Sequence, residues 1–462
     1  MADLKKIKSG VFSRGFALAK VSVSAGAKAA SHAVGGLFSS EEEKAESLKK
    51  LIFDQVGMLT RELGQLKGSL MKAGQMLSMY GEHFLPPEAN QLLKTLQSQS
   101  PPLDWSAMEK QLKRQLTAEQ LDQVEIEHTA LASASLGQVH RVRRKSDGRL
   151  LAMKIQYPGV DKAIDSDISS LQSILTVSRL IPAGPRFDEL FREVRTMLKQ
   201  EVDYRKELVA TDYFRKAFEN DSRFIVPETI PELSTARVLT TSFEEGIAVD
   251  SSEVMALSQE RRNAIGLAVL DAYFRELLEL HHVQTDPHFG NYRLRMGKDG
   301  APDRLVMLDF GAVRKVPLSF IKPYREMIRA TLAQNDEGIL DAAKELGLIE
   351  DGDPEDLTRQ FTDLCYVIVE PFLGREYLQG KFPKSNGLST EFFDAQGMYD
   401  WGKTDLPKRA ARLGAKMIFS ARLRVPPREL VFLDRKMGGM FIFMHALRVK
   451  ADARELLDRY LS

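Results

Sequence analysis

The 462-residue sequence contains one cysteine, Cys365, two tryptophans and eight histidines. A single thiol excludes an internal disulfide framework and any centre built from several thiolates, and it accords with a reducing compartment. An excess of one charge sign is missing too, because 65 Lys and Arg stand against 64 Asp and Glu, a formal net charge of +1. That balance argues against a protein that coats DNA or RNA, whose surface carries a marked basic excess; no nucleic-acid partner is expected. Long apolar runs are also wanting. The longest uncharged stretch near the C-terminus, Met437 to Leu447, has eleven residues, short of the roughly 20 that cross a bilayer, so no transmembrane span is expected.

What is present is an ordinary globular composition, 43% hydrophobic and 28% charged. At about 100 to 200 residues per domain, the length predicts two or three structural units. Residues 1–40 read as a basic leader, flexible or amphipathic, in which Lys5, Lys6, Lys8, Arg14, Lys20 and Lys28 face the single acid Asp3. Such a leader can rest on an anionic membrane surface, at about 1 kcal/mol per charge, or serve as a mitochondrial address. The expected location is cytoplasmic and peripheral at a bacterial inner membrane, or mitochondrial in a eukaryote.

A helical extension is assigned to residues 41–123. Its first helix, to about Tyr80, carries Gly57, Gly64, Gly68 and Gly74. Each interior Gly costs about 1 kcal/mol relative to Ala, which points either to close packing on another backbone or a ligand or to a helix broken into pieces. Pro86-Pro87 and Pro101-Pro102 mark turns, and Asp104 is the expected N-cap of a helix from Trp105. From Val124 to Gln156, short alternating runs around Ser146-Asp147-Gly148 predict a hairpin. Helices are expected at 160–180, 187–219 and 259–281, and strands near 224–226, 237–242, 292–295 and 304–308. From Ser319 onward the pattern is mostly helical.

The chemistry lies in short motifs in a fixed order. Lys154 stands in LAMKI, where a kinase shows V-A-I-K, and the preceding Ala132-Ser133-Ala134-Ser135-Leu136-Gly137-Gln138-Val139 lies on the pattern G-x-G-x-x-G-x-V with two glycines replaced by alanine. Asp286 and Asn291 have the spacing D-x-x-x-x-N, and Asp309-Phe310-Gly311 follows a predicted strand. A strand lysine supplies the cation that phosphates need. An Asn and an Asp supply hard oxygen ligands for Mg²⁺, and the other Asp can position a nucleophile or take its proton. A zinc reading competes for His281, His282, Asp286 and His288, but their spacing is not that of a three- or four-ligand zinc site.

These motifs, with Lys72-Ala73-Gly74-Gln75, Glu201-Val202-Asp203-Tyr204-Arg205-Lys206-Glu207, PELSTARVLT from Pro231 and QTDPHFGN, resemble the UbiB family of atypical kinase-like proteins from about residue 60 to the end. The resemblance implies an α+β, bilobal protein-kinase-like fold. Its N-terminal helical extension covers the active-site cleft, its N-lobe (residues 124–245) bears the alanine-rich loop, and its C-lobe (246–462) is mostly helical. ATP and Mg²⁺ are the implied cofactors. Ala132, Ser133, Ala134, Ser135, Gly137, Val139 and Lys154 would line the nucleotide site, with Lys154 paired to Glu207. Lys72, beside Gln75, would meet Glu201 and Asp203. Asn291 and Asp309 would hold the metal, and Asp286 would occupy the catalytic position. Quinone or other isoprenoid lipid metabolism, with a lipid or quinone precursor and quinone-biosynthesis proteins as partners, follows from the resemblance alone, while a membrane surface as partner follows from the basic leader.

Two residue-level features set the site apart from a peptide kinase. Ala carries a Cβ that penalises positive φ, so an alanine loop cannot drape over phosphates as a glycine loop does. Only five residues lie between Gly311 and Pro317, without A-P-E, which leaves no peptide-docking platform. H-R-D is here Gln284-Thr285-Asp286. Three activities stay open: a lipid-coupled ATPase, a small-molecule or lipid kinase, and a non-catalytic ATP-binding scaffold.

Overall fold

The computed structural model describes residues 68–84, 89–90, 93–94, 102–177, 180–181, 184–298, 300–380, 388–420 and 427–462. The expected leader, the Gly57 and Gly64 segment and the turns at Pro86-Pro87 and Pro101 lie outside them. The chain is α+β and divides into two compact units. The first holds the described residues through Val209 together with Glu228–Phe243; the second holds Ala210–Pro227 and Glu244–Ser462.

In the first unit, strands Val124–Ser133, Gly137–Arg144, Leu150–Gln156 and Val238–Ser242 form an antiparallel sheet in that order. Period-two alternation puts Leu151, Met153 and Ile155 into the core with Met108, Leu112 and Val142, and turns Ala152 and Lys154 to the other face. The expected hairpin forms, with Gly148 at φ +70°, a conformation open to glycine. Asp104 is the N-cap residue of helix Trp105–Leu112, but its side chain makes no capping bond; its carbonyl accepts from Ala107 N instead.

Helix Ser69–Phe84 packs against helices Val160–Val177 and Pro185–Glu201. Gly68 precedes it at φ +89°, where a Cβ would come within 2.2 Å of Val160 Cγ2, so close packing against a side chain accounts for that glycine. The helix expected over 187–219 is two helices, Pro185–Glu201 and Tyr204–Phe218. Partners from other segments engage the backbone at the break: the Gln156 side chain donates from Nε2 to Val202 O (2.9 Å), and Tyr204 N donates to Ala236 O (3.0 Å), two residues before strand Val238–Ser242.

The second unit contains a small sheet in the order Phe224–Ile225, Arg304–Met307, Tyr292–Arg295, Ile247–Ala248, surrounded by helices whose apolar faces form one core. The helix expected over 259–281 is α-helical to Phe274 and continues as a π-helical turn, Arg275–Glu279. His281, at φ +53°, ends it in the left-handed conformation common after helix C-termini. The chain then enters strand His282–Gln284, which pairs antiparallel with Val313–Lys315. These two strands were not expected. Met437 to Leu447 belongs largely to helix Arg428–Ala446, which buries Gly439, Met440, Phe441, Phe443 and Met444. Among the described residues no helix is long and apolar enough to cross a membrane. Burial pushes the Cys365 thiol up to about 12, so it stays protonated and unreactive.

Candidate functional site

In the first unit, sheet register aligns residues that the motifs select from distant positions. Ala132 pairs with Val139, Val139 with Lys154, and Lys154 with Leu239. Directly paired residues share a face, so Ala132, Val139 and Lys154 form one row. Lys154 Nζ donates to both carboxylate oxygens of Glu207, at 2.8 and 3.0 Å, and lies 5.1 Å from the centre of the Tyr204 ring. Glu207 sits in the first turn of its helix, where a negative charge is favoured.

The loop from Ala134 to Leu136 closes by Ala134 N donating to Gly137 O (2.8 Å). None of its residues has positive φ, so alanine and serine occupy it without strain. Ser133 is exposed, and its hydroxyl bonds to Tyr157. Ser135 is half-buried. Gly137 is buried in the sheet, where a Cβ would lie 2.4 Å from Ile155 O and 2.9 Å from Tyr204 Oη. Strand packing therefore demands this glycine, whatever else it does.

Lys72 Nζ lies 3.3 Å from Glu201 Oε2, with both side chains nearly buried. Gln75, one turn further, is half-buried. Asp203 is not inside the single helix expected over 187–219. It lies in the break between the two helices, and its Oδ1 accepts from Arg205 N (3.2 Å). A short acidic side chain at a helix start satisfies an amide that has no intrahelical partner.

In the second unit, Gln284-Thr285-Asp286 is built differently from the H-R-D it replaces. Gln284 Nε2 donates to Asp286 O (3.0 Å) while Asp286 N donates to Gln284 Oε1 (3.2 Å), fixing the Asp286 backbone from both sides. Thr285 Oγ1 and N both donate to Ala312 O, at 2.8 and 3.0 Å, which ties the segment after Asp309-Phe310-Gly311 to this loop. Asn291 Nδ2 donates to Asp286 O (2.9 Å), which turns its amide oxygen the other way. The register Tyr292↔Met307 continues through Leu308 N donating to Asn291 O (2.8 Å), so Asn291 and Asp309 stand at neighbouring strand ends. Asp309 Oδ1 accepts from Gly311 N (2.9 Å), and Phe310 is buried against Phe214.

The histidines of this loop have backbone tasks. His288 Nδ1 accepts from Gly290 N and caps the turn Phe289–Asn291, and His282 Nδ1 bonds to Leu280 O. Among the described residues no group of three or more His, Cys, Asp or Glu gathers as a metal site would.

Motif reading missed Arg435 and Lys436. Arg435 Nη2 donates to Asp286 Oδ1 at 2.6 Å. Lys436, 2% exposed, lies 3.1 Å from Glu276, 1% exposed, and donates to Tyr292 Oη (3.3 Å). Glu276 Oε2 also accepts from Gln284 N (3.0 Å). Burial pushes the Glu276 carboxyl above the ordinary carboxylate range, opposed by Lys436 and the Gln284 amide. A run of Asp434-Arg435-Lys436 before an apolar stretch was the available signal, and its partners lie too far away in sequence to identify.

Comparison with known proteins places these features in context. The model of the ABC1 atypical kinase-like domain matches residues 95–343. The chain is 30% identical over 407 residues to "Atypical kinase COQ8, mitochondrial" of Schizosaccharomyces pombe, covering 88% of this chain and 62% of that protein. The Saccharomyces cerevisiae protein of the same name is 29% identical over 94% of this chain and 80% of its own length. Among solved structures, the Rv3197–erythromycin complex from Mycobacterium tuberculosis superposes with a TM-score of 0.56 at 26% identity, over 89% of this chain and 97% of that one. The fold is thus kinase-like. With over half its length matched by the domain model and its lysine strand, alanine loop and D-x-x-x-x-N loop in order, the chain belongs to the ABC1 atypical kinase-like, or UbiB, family.

Proposed function

We propose that this protein binds ATP with Mg²⁺ and runs slow ATP hydrolysis or a restricted phosphotransfer that serves ubiquinone or another isoprenoid lipid pathway. The observation that carries the reading is the two-point Lys154–Glu207 ion pair on a sheet row with Ala132 and Val139. Lys154 presents a cation to phosphate oxygens while Glu207 holds its direction, and Val139 with Ala152 offers an apolar wall to the base. Asn291 and Asp309 suit Mg²⁺ because both offer hard oxygens from neighbouring strand ends. When bound, the metal neutralises charge on the phosphates. Asp286 orients the nucleophile and accepts its proton.

Acceptor choice is restricted because Val313–Lys315 is taken up in pairing with His282–Gln284 and forms no peptide platform. The Lys72–Glu201 tether keeps the extension on the nucleotide-binding unit, with Gly68 close to the alanine loop at Ser135 O. The quinone pathway and its lipid and protein partners rest on family membership, and a membrane-surface location on the basic leader.

Thermal-shift titrations with ATP, with and without Mg²⁺, test the reading, because a ligand of the native state raises its melting point. A Mg²⁺-dependent rise is expected in the wild type. It should vanish in Asp309→Asn and weaken in Lys154→Met. An equal rise in all three proteins removes the assignment. Labelled ATP then separates hydrolysis, stimulated by a quinone-like phenol or amphipathic lipid, from stoichiometric transfer to a soluble acceptor.

A further inference from the structure

Helix Arg428–Ala446 lies beyond residues 95–343, where the kinase-like domain model matches, yet it grips the D-x-x-x-x-N loop at several points. Lys436 is buried on Glu276 and Tyr292. Gly439 meets Pro287 so closely that a Cβ would stand 2.2 Å from the proline ring, and Phe443 lies 4.2 Å, centre to centre, from Phe289. These residues recur at i, i+3 and i+7, one face of a helix. They clamp the loop backbone after Asp286, while Glu276, through Gln284 N, fixes it before. Arg435 differs from them in reaching the carboxylate itself, donating from Nη2 to Asp286 Oδ1 at 2.6 Å with both side chains largely buried.

We propose that Arg435 is a positioning residue for Asp286, supplied by a helix outside the matched kinase-like domain. The inference rests on the reading of Asp286 as the catalytic carboxylate. A carboxylate turns readily about its terminal bond, and a charge-assisted bond from a planar guanidinium fixes the plane in which it meets a nucleophile. The helix is itself immobilised by Lys436 and Gly439, so the guanidinium is a fixed reference point. Because the Arg435 guanidinium bonds to the Asp286 carboxylate itself, its loss should fall on turnover.

The test measures ATP turnover for the wild type, Arg435→Gln, Arg435→Lys and Asp286→Asn. Arg435→Gln should lower kcat about 10- to 100-fold, the scale of a small misplacement at a reacting centre. KM for ATP should stay within about twofold and the melting temperature close to wild type. Arg435→Lys should recover part of the rate, and sub-denaturing guanidinium should raise turnover of Arg435→Gln but not of the wild type. Unchanged kcat in Arg435→Gln overturns the proposal. So does a loss that tracks a lowered melting temperature and resists both rescues, since that is a purely structural role. If wild-type turnover is absent or indifferent to Asp286→Asn, the reading of Asp286 fails, and this inference with it.

Discussion

Two lysine–glutamate pairs, one in each unit, show how the same chemistry serves different ends. Lys154–Glu207 joins a sheet to the first turn of a helix, and its lysine keeps 17% of its side chain exposed over the Tyr204 ring. Lys436–Glu276 is sealed, at 2% and 1% exposed, with Tyr292 Oη and Gln284 N as further partners. The first pair leaves its cation reachable by a ligand. The second spends its charges on holding a loop two residues before Asp286. Accessibility and the nature of the remaining partners, rather than the ion pair itself, separate a poised group from an anchor.

The largest expected effect breaks the sealed pair. Lys436→Ala leaves Glu276 buried without its cation and should destabilise the second unit by about 3–5 kcal/mol, read as a lower urea midpoint. Lys154→Met should cost about 1–2 kcal/mol, between the surface and buried values, while the ATP-dependent thermal shift weakens. Equal losses from the two substitutions would dissolve the distinction between them.

Replacing both members of the sealed pair sharpens the comparison. Lys436→Met with Glu276→Leu removes the uncompensated charge, so the double variant should be more stable than Lys436→Ala by about 2 kcal/mol or more. Its ATP turnover should nonetheless fall, because Gln284 N loses its acceptor and the Asp286 loop its anchor. A double variant as unstable as the single would mean that the ion pair is not the source of the cost.

Much of this arrangement was legible in the sequence because it depends on local pattern. Lys154 is fixed by the alternation of Leu150–Gln156, the hairpin by Gly148, and Asn291 by its five-residue distance from Asp286. The illegible parts depend on partners far away in the chain. Apolar periodicity runs smoothly through Val202 and Asp203, and the bonds to the Gln156 side chain and Ala236 O, from segments far away in sequence, mark the break there. Strands His282–Gln284 and Val313–Lys315 are three residues each, too short for an alternating pattern to register. Arg435 and Asp286 are 149 residues apart, and no spacing rule joins them. Gly137 was singled out in the sequence as a nucleotide-site residue; its packing reason, Ile155 O and Tyr204 Oη where a Cβ would lie, depends on a partner strand and a helix that the motif does not show.

The first unit also has a sealed polar anchor, and it is neutral. Gln138 Oε1 accepts from Leu103 N (2.9 Å), which aims its amide nitrogen at His140 Nε2 (2.9 Å), while His140 Nδ1 faces Glu127 O (2.8 Å). A carbonyl on one side and an amide donor on the other require the neutral ring with its proton on Nδ1. Burial pushes the His140 pKa below its ordinary value, against the Glu127 carbonyl and with a smaller push from His128. In the unfolded chain the ring titrates near about 6.5. Below that pH the unfolded state takes up a proton that the native state refuses, so this contribution to stability is complete above about 6.5 and is lost as pH falls toward the native pKa. The ionic anchor responds with the opposite sign: the Glu276 carboxyl is pushed up by burial, so the fold binds its proton more tightly than the unfolded chain and that contribution grows, rather than falls, as pH drops. The smallest of these effects is therefore a difference of differences: between about pH 7.5 and pH 5.5, the urea midpoint of the wild type should drop further than that of His140→Gln. His128 remains in both proteins, so the excess drop isolates His140; equal drops would mean that the folded ring takes up its proton as readily as the unfolded one, and a smaller drop in the wild type would mean that the fold holds the ring protonated.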